Sequence, residues 1–444
     1  MVIDSKAPPD RLAALDGLRF FAALFVLWAH GLSVLFKSDP PVPAIGAIAN
    51  VSGLGMTLFF VLSGFVIHFG YHHLGRPGQR GAVWAFVRAR FARLYPLYVV
   101  VLALDVWGSR HSPVAFANAP HALLYHAPLV QAWRYGVLGN LSLIYQFAQY
   151  SGVAWSISVE VFFYLVYVAL VRRLVAIDSA RAHGLAGLAI FATGAAFLIA
   201  AESYIEPING WAAVRFGPVA DLSHGVQDSF FRWLVYFWPP AHLGEFLLGC
   251  LAANWYLRRP ARPPDARART VWLPAAVIVA IVGTHFFIYS RQIPVLGLNG
   301  SSLYAPLMAW LLWLCARGGH PIARWLGSGW RRTGGDSTYA MYLLHIPVLL
   351  AWATPTYPAG RLPWVMVSTK FALMAVLILT LARLVFVAFE RPMRSLVRGQ
   401  APLSTTVAAM VTAVVTRPVL VGVLLLDVVA LNALDARIVR WLSP

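Results

Sequence analysis

Residues 12–36 read LAALDGLRFFAALFVLWAHGLSVLF, a stretch that places the chain in a membrane. A helix needs about 20 mostly apolar residues to cross the hydrocarbon of a bilayer, and the run from Leu18 to Phe36 supplies them. It is too long for the apolar core of a signal peptide and has no small-residue cleavage site, so it reads as a retained span. Three polar groups interrupt it. Asp16 and Arg19 are three apart and share a helix face, while Arg19 and His30 are eleven apart, three turns on, roughly 16 Å along one stripe. An ionisable group at bilayer depth is a functional-site hypothesis by default.

The rest of the chain agrees with a membrane solvent. Of 444 residues, 59% are hydrophobic and 12% charged, with a mean hydropathy of +0.68. Soluble domains carry about a quarter charged residues, so a soluble class is excluded. The 17 Trp, 17 Tyr and 26 Phe suit interfacial belts and lipid-facing surfaces. A net charge of +18 would suggest a nucleic-acid partner in a soluble protein. Here the arginines cluster between apolar runs, and the positive-inside rule accounts for them without nucleic acid. Cys250 and Cys315 lie inside apolar runs, at neither disulfide nor metal-ligand spacing.

Apolar runs predict spans at 14–36, 51–72, 94–108, 153–172, 185–201, 241–257, 271–289, 301–316, 337–354 and 363–388, with an eleventh inside 403–434 that Pro418 interrupts. The expected fold is therefore all-α and polytopic, with a ten-helix core over 1–398 and one further helix and tail over 399–444. With the N-terminus in the cytoplasm, inside segments hold 22 Lys and Arg against 9 outside, which sets that orientation. The long outside segments, 109–152 and 202–240, carry Trp, Tyr, Pro and His rather than linker residues. They predict re-entrant or interfacial structure over the outer mouth.

Three further segments carry polar residues where lipid offers them no partner. In WAFVRARFARLYPLY, Arg88, Arg90 and Arg93 precede the third expected span, and Arg90 and Arg93 share a face if helical. Guanidinium forks suit phosphate bidentately; topology anchoring is the plainer alternative. In VAWSISVEVFFYLVY, Ser156, Glu160 and Tyr164 recur every fourth residue, with Trp155 and Ser158 beside them. That stripe must face the protein interior, as a site or as one half of a structural ion pair. In STYAMYLLHIP, Thr338, Tyr342 and His345 form a third stripe with Tyr339 adjacent, which fits either a lined site or interhelical polar glue. His121, His126, His224 and His242 fall in loops or span ends and read as solvated; His68 and His285 read as core packing. There is no GxSxG, Walker loop, HExxH or Rossmann glycine run, and no metal site is expected.

Taken in order from residue 11 to about 395, LDGLRFFAALFVLWAH, LFFVLSGFVI, RFARLYPLY, WSISVEVFFYL and STYAMYLLHIPV resemble the acyltransferase 3 family of membrane O-acyltransferases. The resemblance implies a ten-span core that moves an acyl group, usually acetyl, from cytoplasmic acyl-CoA to a hydroxyl of an extracytoplasmic or lipid-linked glycan. It places the family's motif histidine at His30, its arginine at Arg19, the paired arginines at Arg90 and Arg93, and the acidic residue at Glu160. The partners it implies are acyl-CoA as donor substrate, a hydroxyl acceptor and the lipid bilayer of a bacterial inner membrane, with no tightly bound cofactor. Some members add an esterase-like domain after an eleventh span; the chain ends at Pro444, so the acceptor is expected to be handled by the membrane part.

The chemistry of these residue types fits acyl transfer. A neutral imidazole is a general base near neutrality, and Glu160 is expected to hold His30 in its working tautomer. Asp16 would pair with Arg19, and Arg19 would hold donor phosphate or stabilise an oxyanion. Arg88, Arg90 and Arg93 would grip the donor, and Trp155, Ser156, Ser158, Tyr164, Tyr339, Tyr342 and His345 would line the path. The alternative class is a secondary transporter or flippase using His30 and Glu160 as a proton relay; no Gly/Pro-broken pair of spans in corresponding halves supports it.

Overall fold

A computed structural model of the chain describes residues 12–35, 50–78, 80–147, 152–259, 272–289, 298–352 and 364–442. Several cations of the sidedness count, namely Lys6, Arg11, Lys37, Arg262, Arg267, Arg269, Arg291 and Arg361, lie outside the described residues.

The chain is an all-α membrane protein, and the one sheet among the described residues is a two-residue hairpin. Its helices are α1 (Ala13–Leu35), α2 (Ser52–Tyr71), α3 (Arg80–Ser109), α4 (Pro113–His126), α5 (Trp155–Ala176), α6 (Ala180–Ser203), α7 (Ile205–Phe216), α8 (Leu243–Arg258), α9 (Trp272–Tyr289) and α10 (Ala305–Arg317). Then come α11 (Pro321–Leu326), α12 (Gly329–Asp336), α13 (Thr338–Ala351), α14 (Trp364–Val385), α15 (Leu403–Val415) and α16 (Pro418–Leu442). Among the described residues seven helical stretches are long and apolar enough to cross a bilayer. Large apolar side chains such as Trp84, Trp107, Leu165, Val279 and Leu426 are exposed on the outside of the bundle, as lipid-facing positions require.

Two expected boundaries move. The span expected at 94–108 is the second half of the 30-residue α3. The arginines that suggested an interface before it are good helix formers, and the buried one, Arg90, finds partners inside the bundle. The eleventh span, expected within 403–434, is divided into α15 and α16. Pro418 is the first residue of α16, where a missing N–H costs no hydrogen bond, so the long apolar helix begins there and runs past residue 434.

Helix α2 sits at the centre between α1 and α8. The α2–α8 crossing is set by Gly64 and Gly249: a methyl on the first would overlap the carbonyl of Phe246, and one on the second that of Val61. Small residues let transmembrane backbones approach where apolar burial supplies no drive. Helix α14 continues through a π-helical turn, Phe386–Glu390, into Arg391–Val397. Helix α16 is tied to α14 by the ion pair of Lys370, which is buried, with Asp435.

Segments 109–152 and 202–240 fold on each other. The Tyr135 hydroxyl donates to the Asp228 carbonyl at 2.6 Å, the Ser142 N–H donates to the Asp228 carboxylate at 2.7 Å, and the Trp233 indole N–H donates to the Ala132 carbonyl at 3.0 Å. His126 is buried, with Nε2 2.9 Å from the Leu143 carbonyl, so it is a packed histidine and not the solvated one its position suggested. These bonds make one cap over the end of α5 that begins at Trp155.

Candidate active site

Helices α1, α2, α3, α5 and α13 enclose a cavity of about 80 Å³, lined by Arg19, Ser63, Arg90, Arg93, Glu160 and Tyr342 among apolar neighbours. One buried water needs about 10–15 Å³ on this measure, so the space holds several waters or a small acyl group. The polar residues arrive from five helices, each contributing its one polar stripe. Glu160 accepts from the Ser63 hydroxyl at 2.9 Å. Arg19 is bound to Asp16 at 2.9 Å, which leaves Asp16 behind the cavity wall. Arg90 donates to the Tyr71 hydroxyl at 3.2 Å and lies 5.0 Å from that ring, a cation–π contact. Among the described residues the Nε atoms of Arg90 and Arg93 are buried without a hydrogen-bond partner, and such groups cost free energy unless something fills the space beside them; Tyr164 lies beside Glu160 and does not line the cavity.

Beyond the cavity, on the same stripe of α1, stands His30. Its Nδ1 lies 2.8 Å from His345 Nε2, with the rings stacked at 5.0 Å. His345 Nδ1 lies 2.6 Å from the Tyr342 carbonyl, which can only accept. In the neutral pair this fixes every hydrogen. His345 carries its proton on Nδ1, its Nε2 accepts, and His30 donates from Nδ1. The remaining nitrogen, His30 Nε2, is left with a free lone pair. His30 is half-buried and His345 is 1% exposed, so the pair has a buried member and an accessible one.

The expectation that Glu160 orients His30 is corrected: the partner of His30 is His345, and Glu160 bonds Ser63. Both stripes were legible, but which helices face one another is a tertiary fact. Tyr342 joins the two halves of the site, its ring 5.8 Å from that of His345 and its hydroxyl 2.8 Å from Ser156 Oγ at the cavity. That hydroxyl donates to the Val153 carbonyl. Thr338 and Tyr339 also line the cavity.

Other expected site residues sit elsewhere. Arg88 is exposed on α3 because it lies on the opposite face from Arg90. Trp155 is packed among Phe60, Phe237 and His242, and Ser158 accepts from the Ala132 N–H in the cap; neither lines the cavity.

Four groups escaped the sequence reading. Arg232, in the cap, acts electrostatically on His30, lies over the Tyr236 and Phe237 rings and keeps a buried Nε without a partner among the described residues; an arginine inside the aromatic run SFFRWLVYFW was the available signal. His242, expected to be solvated, is 2% exposed and bonded at 2.9 Å to Glu245, which also accepts from Thr57; their spacing of three within a helix start was the signal. His68, read as core packing, meets Asn254 and Tyr167. Glu390 and Arg394, four apart on the extension of α14, form a 2.6 Å ion pair.

A cationic cavity and a histidine pair, enclosed together by apolar helices, define an integral membrane protein with a built polar site. A family model described as an acyltransferase domain, that of the acyltransferase 3 family, matches residues 12–387, and the chain belongs to that family. It is 27% identical over 270 residues to "Acyltransferase MdmB" of Streptomyces mycarofaciens, covering 60% of this chain and 63% of that one. It is 25% identical over 402 residues to YrhL of Bacillus subtilis (strain 168), named as a candidate peptidoglycan O-acetyltransferase, covering 86% of this chain and 55% of the relative. It is 43% identical over 102 residues to "Protein 2 in picA locus" of Rhizobium radiobacter, covering 22% of this chain and 47% of that one. The chain thus spans between about half and three fifths of the length of these relatives. No solved structure matches it.

Proposed function

We propose that the protein is a membrane O-acyltransferase that moves an acyl group, acetyl by the size of the cavity, from cytoplasmic acyl-CoA to a hydroxyl of an extracytoplasmic or lipid-linked glycan. The observation that carries this reading is the free lone pair on His30 Nε2, fixed by the chain His30–His345–Tyr342 and placed beyond a cavity with unpartnered arginine nitrogens. With the N-terminus in the cytoplasm, Arg90 and Arg93 face the donor side and His30 the acceptor side. Their guanidinium groups suit the donor's diphosphate, and an extended pantetheine arm reaches about half of the roughly 30 Å hydrocarbon thickness.

In the reaction so read, His30 Nε2 takes the proton of the acceptor hydroxyl as its oxygen attacks the thioester carbon. Charge develops on the carbonyl oxygen near Arg232, the cation that acts on His30 from the cap, where a preorganised cation is worth most. The carbon–sulfur bond then breaks, and the leaving thiolate takes the proton from the His30 imidazolium, giving an ester and free CoA. The relative named for peptidoglycan O-acetylation supports a glycan acceptor, and the relative named as an acyltransferase supports the reaction class.

The test uses purified protein in nanodiscs with acetyl-CoA and cell-envelope glycan fragments, read by CoA release and by mass spectrometry of the glycan. An added acetyl mass that depends on the protein is the expected result. Movement of a lipid-linked glycan across vesicles with no CoA release would overturn the reading in favour of a transporter.

A further inference from the structure

We infer that the mouth of the cavity carries a second anion subsite, formed by Arg394 and Arg398 together with Arg93, which takes a phosphomonoester dianion; resting on the donor reading above, this is the 3′-phosphate of the CoA nucleotide. The extension of α14 reads FVAFERPMRSLVR over residues 386–398. Glu390, Arg394 and Arg398 are spaced by four and lie on one face. The turn that ends at Glu390, Phe386–Glu390, is π-helical, a local underwinding found frequently at functional sites. This extension packs against α3, so its arginines meet Arg93 from another element.

The charges there do not balance. Glu390 is 3% exposed and binds Arg394 through Oε2 at 2.6 Å. Arg93 acts on both Glu390 and Arg394, and Arg398 acts on Arg394. Three guanidinium groups thus share one carboxylate. Each of the three also keeps a buried Nε without a partner among the described residues. Arg93, Arg394 and Arg398 are each half-buried, with Nε shut away from water and the rest of the guanidinium group partly accessible, as a site that a ligand can enter requires. Like charges gathered in a half-buried cluster repel one another unless an anion compensates them, and a surplus of two positive charges matches a dianion. The Tyr339 hydroxyl cannot serve, being committed to the Leu94 carbonyl at 2.5 Å. Arg93 belongs to this cluster and to the cavity wall. A molecule held at Arg394 and Arg398 by a phosphate therefore continues past Arg93 towards Glu160 and Tyr342.

Binding of acetyl-CoA, 3′-dephospho-acetyl-CoA and adenosine 3′,5′-bisphosphate is measured by calorimetry on the full chain in zwitterionic nanodiscs. Wild type is expected to bind acetyl-CoA about 10–100-fold more tightly than the dephospho form, as loss of a charge-assisted bidentate contact predicts. Arg398→Gln, which leaves the Glu390–Arg394 pair intact, is expected to lose that discrimination while binding the dephospho form like wild type. Undiminished discrimination in Arg398→Gln and in Arg394→Gln overturns the subsite. The headgroup of an anionic lipid offers the same chemistry. If the variants shed phosphatidylglycerol in native mass spectrometry while their preference for the 3′-phosphate is unchanged, the occupant is lipid and the nucleotide assignment falls. Failure of the donor reading looks different: wild type then binds neither CoA, and adenosine bisphosphate alone judges the subsite, which falls if that ligand does not distinguish Arg398→Gln from wild type.

Discussion

The hydrogen-bond chain makes His345 a positioning residue for His30, and this can be tested with magnitudes. His30→Ala removes the proposed general base, which costs about 10²–10⁴ in rate, or roughly 2.7–5.5 kcal/mol of barrier. His345 acts by accepting from His30 Nδ1 at 2.8 Å. That bond fixes the tautomer and becomes charge-assisted when His30 is protonated in the transition state. Hydrogen bonds to charged groups are worth about 1.5–3 kcal/mol, so His345→Ala is expected to lower kcat by about 10–150-fold and leave the KM for acyl-CoA unchanged. His345→Gln places an amide oxygen near the position of Nε2 and restores the acceptor, and it should recover most of that loss. If His345 works only through His30, the double variant His30→Ala/His345→Ala is no slower than His30→Ala alone, because residues acting as a unit are not additive. The assay is single-turnover acyl transfer by protein matched for folded yield. Additive losses in the double variant, or a Gln variant as slow as Ala, would show that His345 does not act through His30.

Three further outcomes are expected. Gly64→Leu forces α2 and α8 apart at a crossing with no room for a methyl; at the 1–3 kcal/mol or more of overpacking, folded yield and melting temperature in detergent should fall, whereas Gly70→Leu, with open space around it, should leave both unchanged. Arg232→Gln removes a cation that acts on His30 from the cap and should lower kcat about 10²-fold if it stabilises the developing oxyanion, and a normal kcat would assign Arg232 to cap structure alone. His320 caps α11 by accepting from the Ala323 N–H while its Nε2 faces the Leu314 carbonyl; burial, with a smaller push from Arg324, holds its pKa below the ordinary 6.5. Its neutral form is the folded one, so the stability it contributes is present above pH 6.5 and is lost as pH falls below it; the hydrogen-exchange protection of residues 320–327, relative to the intrinsic rate at each pH, should fall on that descent, and His320→Asn should remove the dependence.

Most of the fold was legible because lipid leaves few choices: a run of apolar residues of the right length has to become a helix. The boundaries that moved did so where a polar residue was read as a stop. Arg88, Arg90 and Arg93 lie inside α3 because one faces out and the others face a cavity, and Pro418 opens α16 instead of breaking it. The candidate site divides in the same way. Polar stripes on α1, α5 and α13 mark inward faces, so Arg19, Glu160, Tyr342 and His345 could be named from spacing. Pairing across helices has no spacing to read. His30 meets His345 through 315 residues of chain, and Thr57 reaches Glu245 across 188. His242 follows two prolines closely and so resembles a loop residue, while here the cap and α8 bury it.

The separation of the histidine pair from the cavity arginines, Arg19, Arg90 and Arg93, has a physical reason, and Arg232 is the exception, a cation kept beside His30 where an oxyanion would form. A base must stay neutral to accept a proton, and every cation near it opposes the imidazolium that forms. Donor phosphates need the opposite surroundings, several cations with few anions. Both can exist in one low-dielectric bundle only if they stand apart and the space between carries dipoles instead of charges. Tyr342 and Ser156 fill that space with a hydroxyl pair at 2.8 Å. Arg19 meets Asp16 and the field of Glu160 before it can act on the histidines three turns away. On this reasoning a charge introduced midway is more damaging than one lost at either end. Ser156→Lys would set a cation between the two halves, favour the empty neutral base and oppose its protonated form. Acyl transfer should then fall further than in Ser156→Ala, while donor binding holds or tightens.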